Sequence, residues 1–406
     1  MAQKKVPQPS KWHYLDYSIL IPYLILCVIG IIMVYSSTSY LQYLPATKDI
    51  TPFSYARNQM FFFFLSLVAI AFIFRMKTAI LERQRLIKWV LIVIFGLLLL
   101  TRFSSFGVEV NGARGWLQLP GGFRLQPVEF LKIAVVWYLA VEFSRQQKMI
   151  KTAFFRTTKI KLLILAAFIG LVMLQPDLGG AIILILLIGG MMLVSGQNYM
   201  WAWAAMIGTP ILLRLGTFLS IHFGKNILPA HAYQRLVNFA DPFANAKDQG
   251  MQMVQSYYAI SNGGLFGRGL GNSLQKRGYL PEAHTDFIFS IVVEELGALR
   301  AILILALLFF LISRIMLVGI RAKNPFHSLL CLGIGILFMT QVFINLGGVL
   351  GLIPLTGVTF PFLSQGGSSL LVLSIAVGMA LNISAAEKRD LTRIEQDRNF
   401  KVLTIK

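Results

Sequence analysis

The chain carries repeated long runs of apolar side chains with almost no charge between them. A hydrocarbon core about 30 Å thick takes roughly 20 apolar residues per helical crossing. Lipid cannot satisfy free backbone N–H and C=O groups, so a spanning segment is a helix or belongs to a closed barrel. Barrel strands alternate apolar and polar residues. Runs such as Ala181 to Val194 do not alternate, and helices follow. Composition agrees: 56% of the 406 residues are hydrophobic and 13% are charged, against about 25% charged in a soluble domain.

The expected fold class is an all-α polytopic membrane protein, a bundle of ten transmembrane helices. The spans run approximately Ser18 to Ser36, Asn58 to Phe74, Trp89 to Thr101, Val128 to Phe143, Leu162 to Leu174, Gly180 to Val194, Met200 to His222, Asp286 to Ser313, Phe326 to Leu350 and Gly367 to Ala386. The third and fifth are short, and the charged linkers around them require them. Tails 1–17 and 387–406 flank this 18–386 domain, and a long extracellular loop, 223–285, joins spans seven and eight. The polar start and the lack of a small-residue cleavage site make the first span a retained one.

Orientation follows from the lysine and arginine bias of short loops. Arg75, Lys77, Arg83, Arg85 and Lys88 follow span two. Arg145, Lys148, Lys151, Arg156, Lys159 and Lys161 follow span four, and Arg314, Arg321 and Lys323 follow span eight. Glu82 alone offsets them. That face is cytoplasmic, and an even span count puts both termini there. Topology thus absorbs most of the +20 net charge and removes the reason to invoke nucleic acid. Cys27 and Cys331 lie in apolar runs without metal or redox spacing and read as buried small hydrophobes.

The outer face holds the unusual sequence. Loop 223–285 is long and basic, with Arg235, Lys247, Arg268, Lys276 and Arg277 against Asp241, Asp248 and Glu282. Its string NGGLFGRGLGNS permits close backbone approach to an anionic ligand, yet is no P-loop. Asn111 to Pro127, Gln175 to Gly180 and Gly351 to Gly367 add further Gly- and Pro-rich outer loops that suggest a roofed cavity.

Ionisable groups at membrane depth cost about 2.5–3.5 kcal/mol each on insertion scales. Glu129 and Lys132 share one helix face and form either a snorkelling ion pair or the lining of a polar cavity. Asp286 lies in PEAHTDFIF beside Glu282 and His284. It is either a helix cap or a carboxylate tuned for base chemistry. Glu294, Glu295 and Arg300 are expected to pair among themselves, and Arg214 to be a satisfied cation. Metal- and serine-hydrolase motifs are lacking.

Four strings in order carry a resemblance: NGARGWLQLPGGFRLQPVEFLK, QPDLGGA, the block from Asp241 to Gly297 with PEAHTDFIF, and GLIPLTGVTFPFLSQGGSSLL. They resemble the SEDS family (shape, elongation, division and sporulation proteins) from Asp16 to about Lys388. NGARGW, VTFPFLSQGGSS and the modest tails lean toward its division branch. Val128, Gly115, Gln365 and Arg300 depart from the common pattern.

The resemblance implies ten transmembrane helices and a peptidoglycan glycosyltransferase that polymerises lipid II into a growing glycan strand at the outer leaflet. It implies a class B penicillin-binding protein transpeptidase and other division proteins as partners, in the bacterial cytoplasmic membrane at the septum. It maps the catalytic aspartate onto Asp286, and Glu129 and Lys132 onto the helix whose lysine faces it. An inverting transfer needs only one carboxylate base. Arg114, Arg235, Lys276 and Arg277 are candidates for the diphosphate, and His284, Ser364 and Ser368 for other substrate contacts. No cofactor is obligatory, though a divalent cation, Mg or Mn, can accompany the diphosphate. The rival readings are a lipid II flippase and a silent division scaffold. A flippase would show inverted repeats, and none is visible.

Overall fold

The computed structural model describes residues 10–43, 51–110, 112–118, 124–196, 200, 208, 215, 233, 237, 239–244 and 250–404; side chains of 52, 148–157 and 395–404 are left aside. Arg214, Arg235 and most of the seventh expected span lie outside these residues.

Six helices among the described residues are long and apolar enough to cross a membrane. They are α1 (Tyr17–Thr38), α2 (Pro52–Arg75), α4 (Gln84–Phe103), α10 (Ala298–Arg321), α11 (Pro325–Val349) and α12 (Gly367–Thr404). A single turn, α3 (Thr78–Leu81), links α2 to α4. The shorter α7 (Leu178–Val194) is wholly apolar. Central to the bundle is α5 (Pro127–Arg145), buried almost without interruption from Pro127 to Phe143 and packed by α4, α7, α11 and α12.

Five expectations need correction, four of them local. The fifth span is the rear part of a 28-residue helix, α6 (Gln147–Leu174). Lys161, one cation of this linker, is buried against Glu142, 3.5 Å away. The last span likewise continues as helix beyond Ala386. Asn111 to Pro127 holds part of a three-stranded antiparallel sheet: β1 (Gly107–Val110), β2 (Ala113–Gln118) and β3 (Arg124–Leu125). Inside the long outer loop stands α8 (Met251–Gly263).

The largest correction concerns span eight. It is broken into α9 (Ile288–Leu296) and α10 by Gly297, whose φ of 85° and ψ of 162° fit only glycine. A break exposes orphan helix-end groups, and the glycine-rich loop supplies their partners. Arg268 N–H donates to Glu294 O (2.9 Å) and Gly269 N–H to Glu295 O (2.9 Å), while Ala298 N–H donates to Gly264 O (2.9 Å). A Cβ on Gly267 would stand 2.5 Å from Gly297 N. The string NGGLFGRG therefore uses its close approach, at Gly263 and Gly267, on the protein's own backbone.

The two described ends meet. Lys11 Nζ donates to Asn382 Oδ1 (2.8 Å) and Met76 O (2.9 Å). Asp16 caps α1 through Ser18 and binds Ser384 (2.8 Å) and Lys388 (2.9 Å). Burial would raise the Asp16 carboxyl, but hydrogen bonds from Ser18, Lys388 and Ser384 outweigh it and hold it at about 2.

Candidate active site

The segment His284–Asp286 is fixed through its backbone. His284 O accepts from Gln365 N–H (2.9 Å), Thr285 O from Ser364 Oγ (2.6 Å), and Asp286 O from Asn345 Nδ2 (2.8 Å). Three consecutive carbonyls are thus held by α11 and by the turn before α12. Asn345 also donates to Val358 O (2.7 Å), stapling that turn's approach to the same helix. Gln59 of α2, almost fully buried, donates to Ser364 O (3.1 Å). The Asp286 carboxylate faces the 357 turn, with Oδ2 3.6 Å from where a Gly357 Cβ would lie.

The capping explanation for Asp286 loses its position. The cap of α9 falls on Phe287, and Asp286 sits one residue further out, in a turn where Glu282 has a φ of 56°. Thr285 Oγ1 donates to Glu282 Oε2 (2.7 Å). The His284 ring meets Tyr55 with centroids 5.2 Å apart. Burial lowers its imidazole pKa, with the Glu282 charge opposing.

At the start of α5, Pro127 occupies the first helical turn, where its missing N–H costs nothing. Glu129 follows at the positive end of the helix dipole. Lys132 Nζ binds Glu129 Oε1 at 2.7 Å, and both side chains are buried. Glu129 Oε2 is buried and accepts no hydrogen bond from a described group. The QPVEF and SQGGSS strings are joined because Gln126 N–H donates to Ser368 Oγ (3.1 Å). QPDLGGA adds α7: a Cβ on Gly179 would lie 2.4 Å from Thr356 O. All four motifs thus converge on one end of the bundle.

Other expected site residues are placed as follows. Ser364 and Ser368 spend their hydroxyls on the internal bonds just named. Arg114 clamps the sheet to the end of α4, donating through Nη2 to Ser104 O (3.0 Å) and Nε to Gly107 O (3.4 Å). Lys276 is buried on Glu295 (2.8 Å) and Ser36 (3.1 Å). Arg277 is exposed. The expected Glu294–Glu295–Arg300 pairing does not form: exposed Arg300 donates to Phe266 O (2.9 Å) and Leu296 O (3.0 Å). Asn345 and Gln59 carry no charge, so the cost of ionisable groups at membrane depth does not single them out in the sequence. An amide there also needs partners, and that was the available signal.

Fold and site together define a multi-pass membrane protein with a carboxylate loop fastened over the mouth of its helical bundle. The chain belongs to the FtsW/RodA/SpoVE family of cell cycle proteins, whose family model matches residues 17–389. The resemblance carried by the four ordered strings is thereby confirmed. The chain is 45% identical to the probable peptidoglycan glycosyltransferase FtsW of Lactococcus lactis, over 94% of both chains. It is 37% identical to the stage V sporulation protein E of Bacillus subtilis, over 91% of this chain and 96% of that one. Its fold matches a chain of a peptidoglycan synthase complex with a TM-score of 0.70, at 23% identity over 92% of this chain and 98% of that one. It also matches RodA of Thermus thermophilus with a TM-score of 0.63, at 23% identity over 93% and 99%.

Proposed function

We infer that the chain is a peptidoglycan glycosyltransferase that polymerises lipid II into glycan strands at the outer face of the cytoplasmic membrane during division. The observation that carries this is its 45% identity, across 94% of its length, to a relative named for that activity. The convergence of four motifs around Asp286 supplies a place for the chemistry. We further propose ten crossings with both termini cytoplasmic, action at the septum, and a class B penicillin-binding protein as partner. Cysteine placed at Lys151 should resist a membrane-impermeant reagent applied outside, and cysteine at Tyr279 should react.

In the proposed reaction Asp286 takes the proton from the acceptor sugar hydroxyl. That oxygen forms the new bond to the anomeric carbon as the bond to the diphosphate oxygen breaks. The diphosphate leaves with the electron pair, and the anomeric centre inverts. The Lys132 ammonium, steadied by Glu129, favours the ionised form of Asp286. Arg235 is a candidate to neutralise the leaving group. Among the described residues no three His, Cys, Asp or Glu side chains gather as metal ligands. We propose that a divalent cation, Mg or Mn, accompanies the diphosphate oxygens as part of the substrate.

Asp286→Asn tests the base. The change keeps size and shape and removes the basic lone pairs. Lipid II polymerisation by the purified protein with its partner should fall about 10²–10⁴-fold, with abundance and partner association unchanged. Robust polymerisation by this variant, with the partner's own activity excluded, would sink the mechanism.

A further inference from the structure

A cavity of about 450 Å³ opens at the outer end of α1 and the start of α2. Its described lining includes Tyr35, Tyr40, Tyr43, Phe53, Gln42 and Arg277. The volume falls in the range of small-molecule sites, about 300–1,000 Å³. Tyr40 and Tyr43 tilt toward each other with centroids 5.3 Å apart. Tyr35, Tyr43 and Phe53 expose more than half of their surface. Lys276 forms part of the wall, but Glu295 neutralises it. Arg277 differs: its guanidinium makes no hydrogen bond or ion pair with a described group.

Two short links lead from the cavity, one toward the His284 loop and one to the Glu295 cluster. Phe53 lies two residues before Tyr55, whose ring rests on His284. Ser36, one residue after Tyr35, hydrogen-bonds Glu295 of α9 (2.6 Å). A polymerase needs more than a reacting centre. It must hold the strand it is extending, and a strand is a row of rings with apolar C–H faces and polar edges. Flat aromatic faces suit the former. Ring hydroxyls and an amide such as Gln42 suit the latter, and a free guanidinium suits an acidic substituent.

We propose that this tyrosine-lined cavity is a strand-holding subsite that binds sugar units of an acidic saccharide polymer near the catalytic loop. The proposal rests on the glycosyltransferase reading above. Interfacial tyrosines also occur as lipid-facing belts. A belt would present rings to headgroups alone, whereas these rings line an open cavity shared with a glutamine and with a cation that pairs with no described group.

The test compares strand length with first-coupling rate, using full-length protein, its partner and lipid II. The double variant Tyr40→Leu/Tyr43→Leu keeps apolar bulk and removes the rings. Gln42→Ala is an exposed change that spares the fold if the double variant does not. Shorter strands are expected, roughly threefold to tenfold in mean length per lost ring contact, with the initial coupling rate within about twofold and Tm unchanged. Arg277→Gln should also shorten strands. Unaltered length in all three variants means a lipid belt and overturns the proposal. A raised KM for lipid II with unaltered length means the cavity holds the incoming monomer, which also overturns it. No polymerisation by the unmutated protein would instead overturn the glycosyltransferase reading.

Discussion

Among the described residues, two of the buried carboxylate–lysine clusters are completed differently. In the first, Glu294 accepts from Leu274 N–H (3.1 Å), Gln275 N–H (3.3 Å), Asn262 (3.4 Å) and Ser273 Oγ. Glu295 accepts from Lys276 (2.8 Å), Ser36 (2.6 Å) and Ser273 N–H (3.4 Å). Every carboxylate oxygen is occupied, and the partners come from α1, α8 and the loop that fills the helix break. In the second, Glu129 and Lys132 have one bond between them, and Glu129 Oε2 has none from a described group. Burying charge costs several kcal/mol per ion and is recovered only when the remaining sites are satisfied. The saturated cluster is built to hold a loop. The unsaturated one keeps spare electrostatic capacity at the end of the bundle that carries the proposed catalytic turn, where a reaction that moves charge can use it.

Mutation should separate them, and the largest effect belongs to the saturated cluster. Glu295→Ala leaves Lys276 buried without its counter-ion and should cost about 3–5 kcal/mol of stability, read as a fall in Tm in detergent. Activity should follow the folded fraction. An unchanged Tm would show that this network does not hold the loop. Next comes the paired change Glu129→Gln with Lys132→Met. Removing both charges together should leave stability within about 1 kcal/mol, yet lower the polymerisation rate by at least about 10²-fold. Equal losses of stability and rate would erase the distinction between the clusters.

The smallest effect is one of pH. Burial keeps the His284 imidazole neutral and lowers its pKa below the ordinary 6.5. As pH falls, the unfolded chain takes up this proton before the folded one does. Its contribution to stability is therefore complete above about pH 6.5 and declines below that, by up to about 1.4 kcal/mol per pH unit. His284→Asn should flatten that acid limb of the Tm profile. If the limb stays unchanged, His284 is not the titrating group.

Much of this was legible along the chain because it depends on local order. Span-length apolar runs place α1 and α11 within two residues at each end, and α2 at its C-terminal end. Glu129 and Lys132 fall on one face by spacing alone. The identity of Asp286 as the residue to test came from its neighbours in PEAHTDFIF. What misled was a property shared by two roles. A glycine run admits close approach of any backbone, whether a ligand's neighbour or the chain's own, and composition does not say which.

The amino-acid order by itself determined the solvent this protein lives in, the helical class of its fold, and which carboxylates stand near the mouth of the bundle. Those properties are set by transfer free energy and by periodicities of a few residues. Tertiary structure alone decided that span eight breaks at Gly297, that Lys276 is consumed by Glu295 while Arg277 is exposed, and that three carbonyls beside Asp286 are held by Asn345, Ser364 and Gln365. Each of these joins residues far apart in the chain. A hydrogen bond or ion pair acts over about 3 Å, and only the packing of distant helices brings such partners within that reach.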